Sequence, residues 1–194
     1  MNDFSEDQSA PIEIRESEEN SEVPLETIEN SALDFEVQTD VQVQEAITEI
    51  NQIEEIRPAV WQELDAGERL RVLQSVEDCM SAIQNRPSVA VSAQEMDLGT
   101  FGGWNGQSIQ LNAAHLESEM PVNEFIDTIV HEGRHAFQDY AVQNPGVVSD
   151  TNVMDAWAEN RDNYLNAEEF GQELYMAQPL EADAWAYASR ISLC

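Results

Sequence analysis

Apolar positions along this chain recur at helical steps over long stretches, and at alternating steps over only one short region. From Asp40 onward, Val41, Val43, Ala46, Ile47, Ile50, Ile53 and Ile56 form a stripe that predicts an amphipathic helix stopped by Arg57-Pro58. A short helix is expected over 59–64. Asp65 then caps a longer one over 66–85, with Leu70, Val72, Leu73, Val76, Met80 and Ile83 inward, broken by Arg86-Pro87. Val89-Ala90-Val91 reads as a strand. Residues 98–101 and 108–112 read as hairpin arms around the glycine-rich 102–106 turn. The strongest helical pattern covers 121–144, where Val122, Phe125, Ile126, Ile129, Val130, Phe137 and Tyr140 share one face between Pro121 and the Asn144-Pro145-Gly146 stop. Asp150 or Thr151 opens another helix running to about 166, with Val153, Ala156, Trp157, Tyr164 and Leu165 on its apolar face. A further helical stretch over 167–176 leads to Gln178-Pro179, and Pro179 starts the last helix. The elements add up to a mostly helical α+β domain with a small sheet beside the 121–144 helix.

The first forty residues break this pattern. They hold 13 acidic residues against Arg15, and their apolar residues occur singly, which predicts a disordered acidic tail over 1–40 and a folded domain over 41–194. Solubility is the plainest role for such a tail; cover for a cleft or an export address are sharper ones. The whole chain carries a formal charge of −31, with eight arginines and no lysine. That balance excludes nucleic acid and anionic membrane as partners, since phosphate binding requires a basic patch. Two cysteines, Cys79 and Cys194, make no disulfide framework and fit a reducing compartment. The N-terminus lacks the charged and apolar regions of a signal peptide, and no apolar run approaches the roughly 20 residues of a membrane span. The expected location is cytoplasmic, or outside the cell by a route without a cleavable signal peptide.

The chemistry concentrates in His131-Glu132-Gly133-Arg134-His135, inside the most strongly patterned helix. Residues i and i+4 lie one turn apart on the same face, so both imidazoles can reach one ion. Zinc accepts neutral imidazole nitrogens, and three protein ligands with one open position define a catalytic site. Glu132, beside the first histidine, is placed to act as general base toward water. Glu181, in the first turn of the last helix and framed by Ala182, Ala184 and Ala188, is the preferred third ligand, with Glu159 as the runner-up. Asp155, Asp162, Glu168 and Glu169 compete less well. Gln138 and Ala141 stand where the metzincin spacing would put glycine and a third histidine, so that pattern is absent. His115 is the remaining histidine, in a turn where exposure or a hydrogen bond is the more ordinary fate. Tyr175 and Tyr187 flank Glu181 in sequence and are candidates to stabilise an oxyanion, with Tyr175 preferred.

The motif followed by Gln178-Pro179-Leu180-Glu181-Ala182-Asp183-Ala184-Trp185 resembles compact zincin-like metallopeptidases of the gluzincin type, above all the small versions found as bacterial toxin or effector domains. The likeness covers roughly 58–194. It implies Zn2+ held by His131, His135 and Glu181, Glu132 as the base, and hydrolysis of a peptide or protein substrate, with a narrow target if the toxin likeness holds. One departure is Trp185, at a position where some gluzincins carry an aspartate that orients a histidine; Asp183, Asp127 or Asp139 would have to supply that support. The competing expectations are a non-catalytic module whose zinc is closed off by a fourth ligand such as His115, and an acidic inhibitor or decoy acting through the tail.

Overall fold

The computed structural model describes residues 25–191, with side chains from Glu36 onward except Val37. The first helix, α1 (Leu25–Ile50), starts fifteen residues before the boundary that the tail reading set at 40. The reason lies in its spacing. Leu25, Ile28, Ala32 and Phe35 continue, at three- and four-residue steps, the face that carries buried Thr39, Val43, Ala46 and Ile50. Residues 1–24, the rest of the expected tail, lie outside the described residues. The same helix also ends early. Asn51 donates its side-chain amide to the Ile47 carbonyl at 2.7 Å, a short 3-10 turn spans Glu54–Ile56, and α2 is the single turn Pro58–Trp61.

Helix α3 (Ala66–Ile83) has both ends written locally. Asp65 and Glu68 form a reciprocal capping box, each side chain accepting from the other's backbone N–H at 2.8 and 2.9 Å. At its far end Asn85 adopts φ +51°, and the N–H groups of Asn85 and Arg86 donate to the carbonyls of Ala82 and Ser81. This is a Schellman stop, and it turns the Arg86 side chain back toward its own helix.

The sheet has three strands, β1 (Ala90–Gln94), β2 (Gly102–Trp104) and β3 (Ser108–Asn112), in the order β1-β3-β2. β1 runs parallel to β3 and β2 antiparallel to it, with Trp104 opposite Ile109. The hairpin arm is therefore 102–104, not 98–101; the glycines expected to turn are themselves the strand. A Cβ on Gly102 would meet the Gln110 carbonyl at 2.6 Å and the Thr128 methyl at 2.9 Å, so only glycine lets the strand lie this close to β3 and the next long helix. The turn contracts to Asn105, Gly106 and Gln107, where the Asn105 side chain accepts from the N–H groups of Gln107 and Ser108 at 2.9 Å.

After the short α4 (Ala113–Leu116), α5 (Val122–Gln143) crosses the molecule between α3 on one side and the last helix on the other. Its first half joins the main core of α1, α3 and β3, with Phe125, Ile126 and Ile129 buried there. Its second half joins a smaller core around Phe137, Trp157 and Leu180. The remaining helices are α6 (Thr151–Asp162), α7 (Ala167–Phe170), α8 (Gln172–Ala177) and α9 (Pro179–Ser189). Gly171, at φ +85°, splits what the sequence predicts as one helix into α7 and α8. The result is a mostly helical α+β fold with a small mixed sheet against α5. Among the described residues no helix is long and apolar enough to cross a membrane.

Candidate metal centre

Helices α5 and α9 bring three donors to one point. The Nε2 atoms of His131 and His135 lie 3.2 Å apart. Glu181 sets Oε2 at 3.3 Å from the first and Oε1 at 3.2 Å from the second. Four-coordinate zinc with bonds of about 2.0–2.1 Å keeps its donors roughly 3.3 Å apart, so these separations fit such an ion. Two further observations point the same way. The Glu181 side chain is fully buried, and its Oε2 has no hydrogen-bond partner. A buried carboxylate oxygen that no hydrogen bond completes is costly unless a cation does so. Burial alone would lift the Glu181 carboxyl, yet the two imidazoles hold it well below the usual carboxylate range. At His135, burial opposes protonation; the Glu181 and Glu132 carboxylates outweigh it and raise the imidazole pKa.

Glu181 is held in place by amides. Gln178, at the N-cap of α9, accepts from the Asn160 side chain at 3.0 Å and from the Leu165 N–H at 2.9 Å, and donates to the Leu165 carbonyl at 2.9 Å. Asn160 in turn accepts from the Leu180 N–H at 3.0 Å. This buried network fixes the end of α6 against the start of α9, so the first turn of α9 presents Glu181 to α5. Tyr164, just past α6, donates its hydroxyl to Glu181 Oε1. The sequence reading treats Tyr164 only as an apolar-face residue, and nothing local to it signals this bond.

The histidines have a second layer. Gln138, one turn beyond His135, places Oε1 at 2.8 Å from His135 Nδ1, while its amide donates to the Leu180 carbonyl at 3.0 Å and to Asp183 at 2.6 Å. Asp183 is clamped by the Arg134 guanidinium at 2.7 and 2.9 Å, and Arg134 lies over the Phe137, Trp157 and Tyr187 rings. Of the three acids considered for this support, Asp183 therefore acts through Gln138. Asp139 accepts from the Trp104 indole at 2.7 Å, and Asp127 faces the cleft. Trp185 stands one turn after Glu181, with its ring 4.5 Å from that of His131. His131 Nδ1 has no hydrogen-bond partner among the described residues.

Gly133, the middle residue of the motif, has a packing reason. A Cβ there would lie 3.2 Å from both the Arg86 guanidinium and the Glu77 carboxylate. Those two form a buried ion pair at 2.6 and 2.9 Å, and Arg86 also donates to the Gly133 carbonyl at 3.1 Å. The pair thus pins α3 to the motif helix.

Glu132 is half-buried on the cleft side and accepts from the Trp104 backbone N–H at 2.7 Å. Burial pushes its carboxyl up, with the two imidazoles pulling in the opposite direction. Tyr175, on α8, faces the same space; burial lifts its phenol to about 12, which keeps the hydroxyl protonated at neutral pH. Tyr187 lies elsewhere, 2% exposed beneath Arg134. His115 sits 3.0 Å from the Leu98 carbonyl and packs on Phe101, outside the donor group. Glu159 is exposed on α6 and also stands apart from it.

Two chambers meet at Glu132. One, of about 310 Å³, extends past His135 toward Trp104, Tyr164 and Arg161. The other, of about 600 Å³, extends past His131 toward Trp185, Glu124 and Asp127. Gly102 and Tyr175 line both. Comparison with known proteins finds no matching family model, no similar curated protein and no similar solved structure.

Proposed function

We propose that this chain is a zinc-dependent peptidase that hydrolyses a peptide or protein substrate lying across the two chambers, with the narrow target of a toxin or effector. The observation that carries this reading is the meeting of three donors at ion-binding separations with a half-buried carboxylate at the bottom of an open cleft. His131, His135 and Glu181 would hold the ion. Zinc in such a donor set is a Lewis acid that acidifies water and polarises a carbonyl.

The protein's own groups account for the rest. Glu132 keeps one oxygen on the Trp104 N–H, which fixes the carboxylate, and its other oxygen takes a proton from the attacking water. The upward push on its pKa favours returning that proton to the leaving amine nitrogen. The Tyr175 hydroxyl donates to the developing oxyanion. β2 is an edge strand, and in an antiparallel pair alternate residues turn their backbone groups away from the partner. Gly102 turns both its N–H and C=O to the free edge and Trp104 its C=O, its N–H being held by Glu132, and an extended peptide pairs with these groups by strand addition.

The reading is tested on two variants in parallel. Glu181→Ala should lose most of its zinc, measured as metal per folded chain. Glu132→Gln should keep the zinc yet lose hydrolysis by roughly 10²–10⁴-fold. Full metal retention by the first, or substantial activity in the second, sinks the assignment.

A further inference from the structure

We infer that the smaller chamber receives a carboxylate of the bound peptide, gripped by Arg161, so that the protein selects peptides with an acidic side chain or a free C-terminus beside the cleavage point. The inference rests on the peptidase reading for what happens next, though not for the grip itself.

Arg161 stands out by what it lacks. Among the described arginines, Arg57, Arg86, Arg134 and Arg190 are in ion pairs with Glu54, Glu77, Asp183 and Asp40. Arg69 spends its guanidinium on the carbonyls of Trp61, Leu116 and Ser118. Arg71 lies in a distant groove that Glu68 also lines. Among the described residues, Arg161 is the one arginine on the wall of the candidate site, and it forms no ion pair with any of their carboxylates, in a chain with 39 acidic residues.

Its surroundings favour one ligand chemistry. Arg161 lies one turn before Tyr164, whose hydroxyl reaches Glu181, so the guanidinium and the donor group share one chamber wall. The carboxylates in that chamber are engaged: Asp139 by the Trp104 indole, Glu132 by the Trp104 N–H, Glu181 by Tyr164 and the histidines. The larger chamber has the opposite character. Its Glu124 and Asp127 carboxylates make no hydrogen bond or ion pair among the described residues, and it contains no arginine. Each chamber is lined by three carboxylates, so the arginine is what sets the smaller one apart, and an anionic group on the substrate meets a guanidinium only there. Guanidinium meets carboxylate through paired parallel hydrogen bonds, which fixes orientation as well as charge.

The test is a binding measurement on the full chain, silenced as Glu132→Gln and loaded with zinc. Fluorescein-labelled short peptides of one neutral sequence are compared as C-terminal amide, as free acid, as amide with an internal glutamate, and as amide with an internal lysine. We expect the free acid or the glutamate peptide to bind about tenfold or more tightly than the neutral amide, roughly the effect of one such pair. Whichever of the two gains tells the source of the carboxylate. Adding Arg161→Gln should close the gap, Arg161→Lys should restore part of it, and Arg71→Gln, the same charge change in the distant groove, should leave it open. A gap that survives Arg161→Gln, tightest binding by the lysine peptide, or no binding of any peptide overturns the inference. Carboxylate-dependent binding without hydrolysis by wild-type protein would leave the grip standing and sink the peptidase reading alone.

Discussion

Gln138 shows how one residue can govern the donor group without belonging to it. Its side chain is committed on both ends, oxygen to His135 and amide to Asp183 and Leu180, and it is 1% exposed. Gln138→Leu keeps the volume but leaves His135 Nδ1 and the Leu180 carbonyl without their partner. Zinc affinity should fall about 10–100-fold, as measured by competition with a chelator, while the fold is retained. Unchanged affinity would mean that the imidazole is oriented by packing alone.

Among the elements, α3 and α5 are joined by more than apolar contact. The Glu77–Arg86 pair has side-chain exposures of 0% and 1% and spans both helices through the Gly133 carbonyl. Arg86→Met should cost about 3–5 kcal/mol in urea unfolding, because it strands the Glu77 carboxylate in the core. The double change Glu77→Leu/Arg86→Met should recover most of that loss. These elements also show how far the sequence could be read. α3 was legible from its cap, its proline stop and its apolar spacing, α5 from its apolar face between Pro121 and Asn144-Pro145-Gly146, and α9 from the proline in its first turn. The histidine and Glu181 positions follow from those helices. Gln138 lay within reach too, since it follows His135 by one turn on the same helix. What was not legible depends on pairs distant in sequence. The strand at Gly102 is dictated by the approach of Gln110 and Thr128, Tyr164 by the position of Glu181, and Gly133 by an ion pair on another helix. The start of α1 was missed for a different reason: dense acidic residues masked a stripe that continues through residue 25.

On the scale of the whole molecule, charge dominates. A formal charge of −31 on 194 residues repels itself, and the four arginine–carboxylate pairs of Arg57, Arg86, Arg134 and Arg190 offset little of it. Melting temperature should therefore rise as sodium chloride goes from about 10 mM to about 300 mM, as the Debye length shrinks from roughly 30 Å to below 8 Å. A melting temperature that falls with salt would show that the ion pairs outweigh the repulsion. The same charge gives basic and neutral peptides the easier approach, which leaves Arg161 to set the position of a carboxylate rather than its rate of arrival.

The edge position of β2 has a consequence beyond catalysis. Backbone groups that can accept a substrate strand can as readily accept the same edge of another copy, the first step toward aggregation. Gly102, Gly103 and Trp104 carry no charge to prevent it. Protection comes from the brevity of the strand, from Glu132 occupying its last N–H, and from the mutual repulsion of two strongly anionic molecules. The acidity that costs the fold some stability thus keeps an open binding edge from joining to itself.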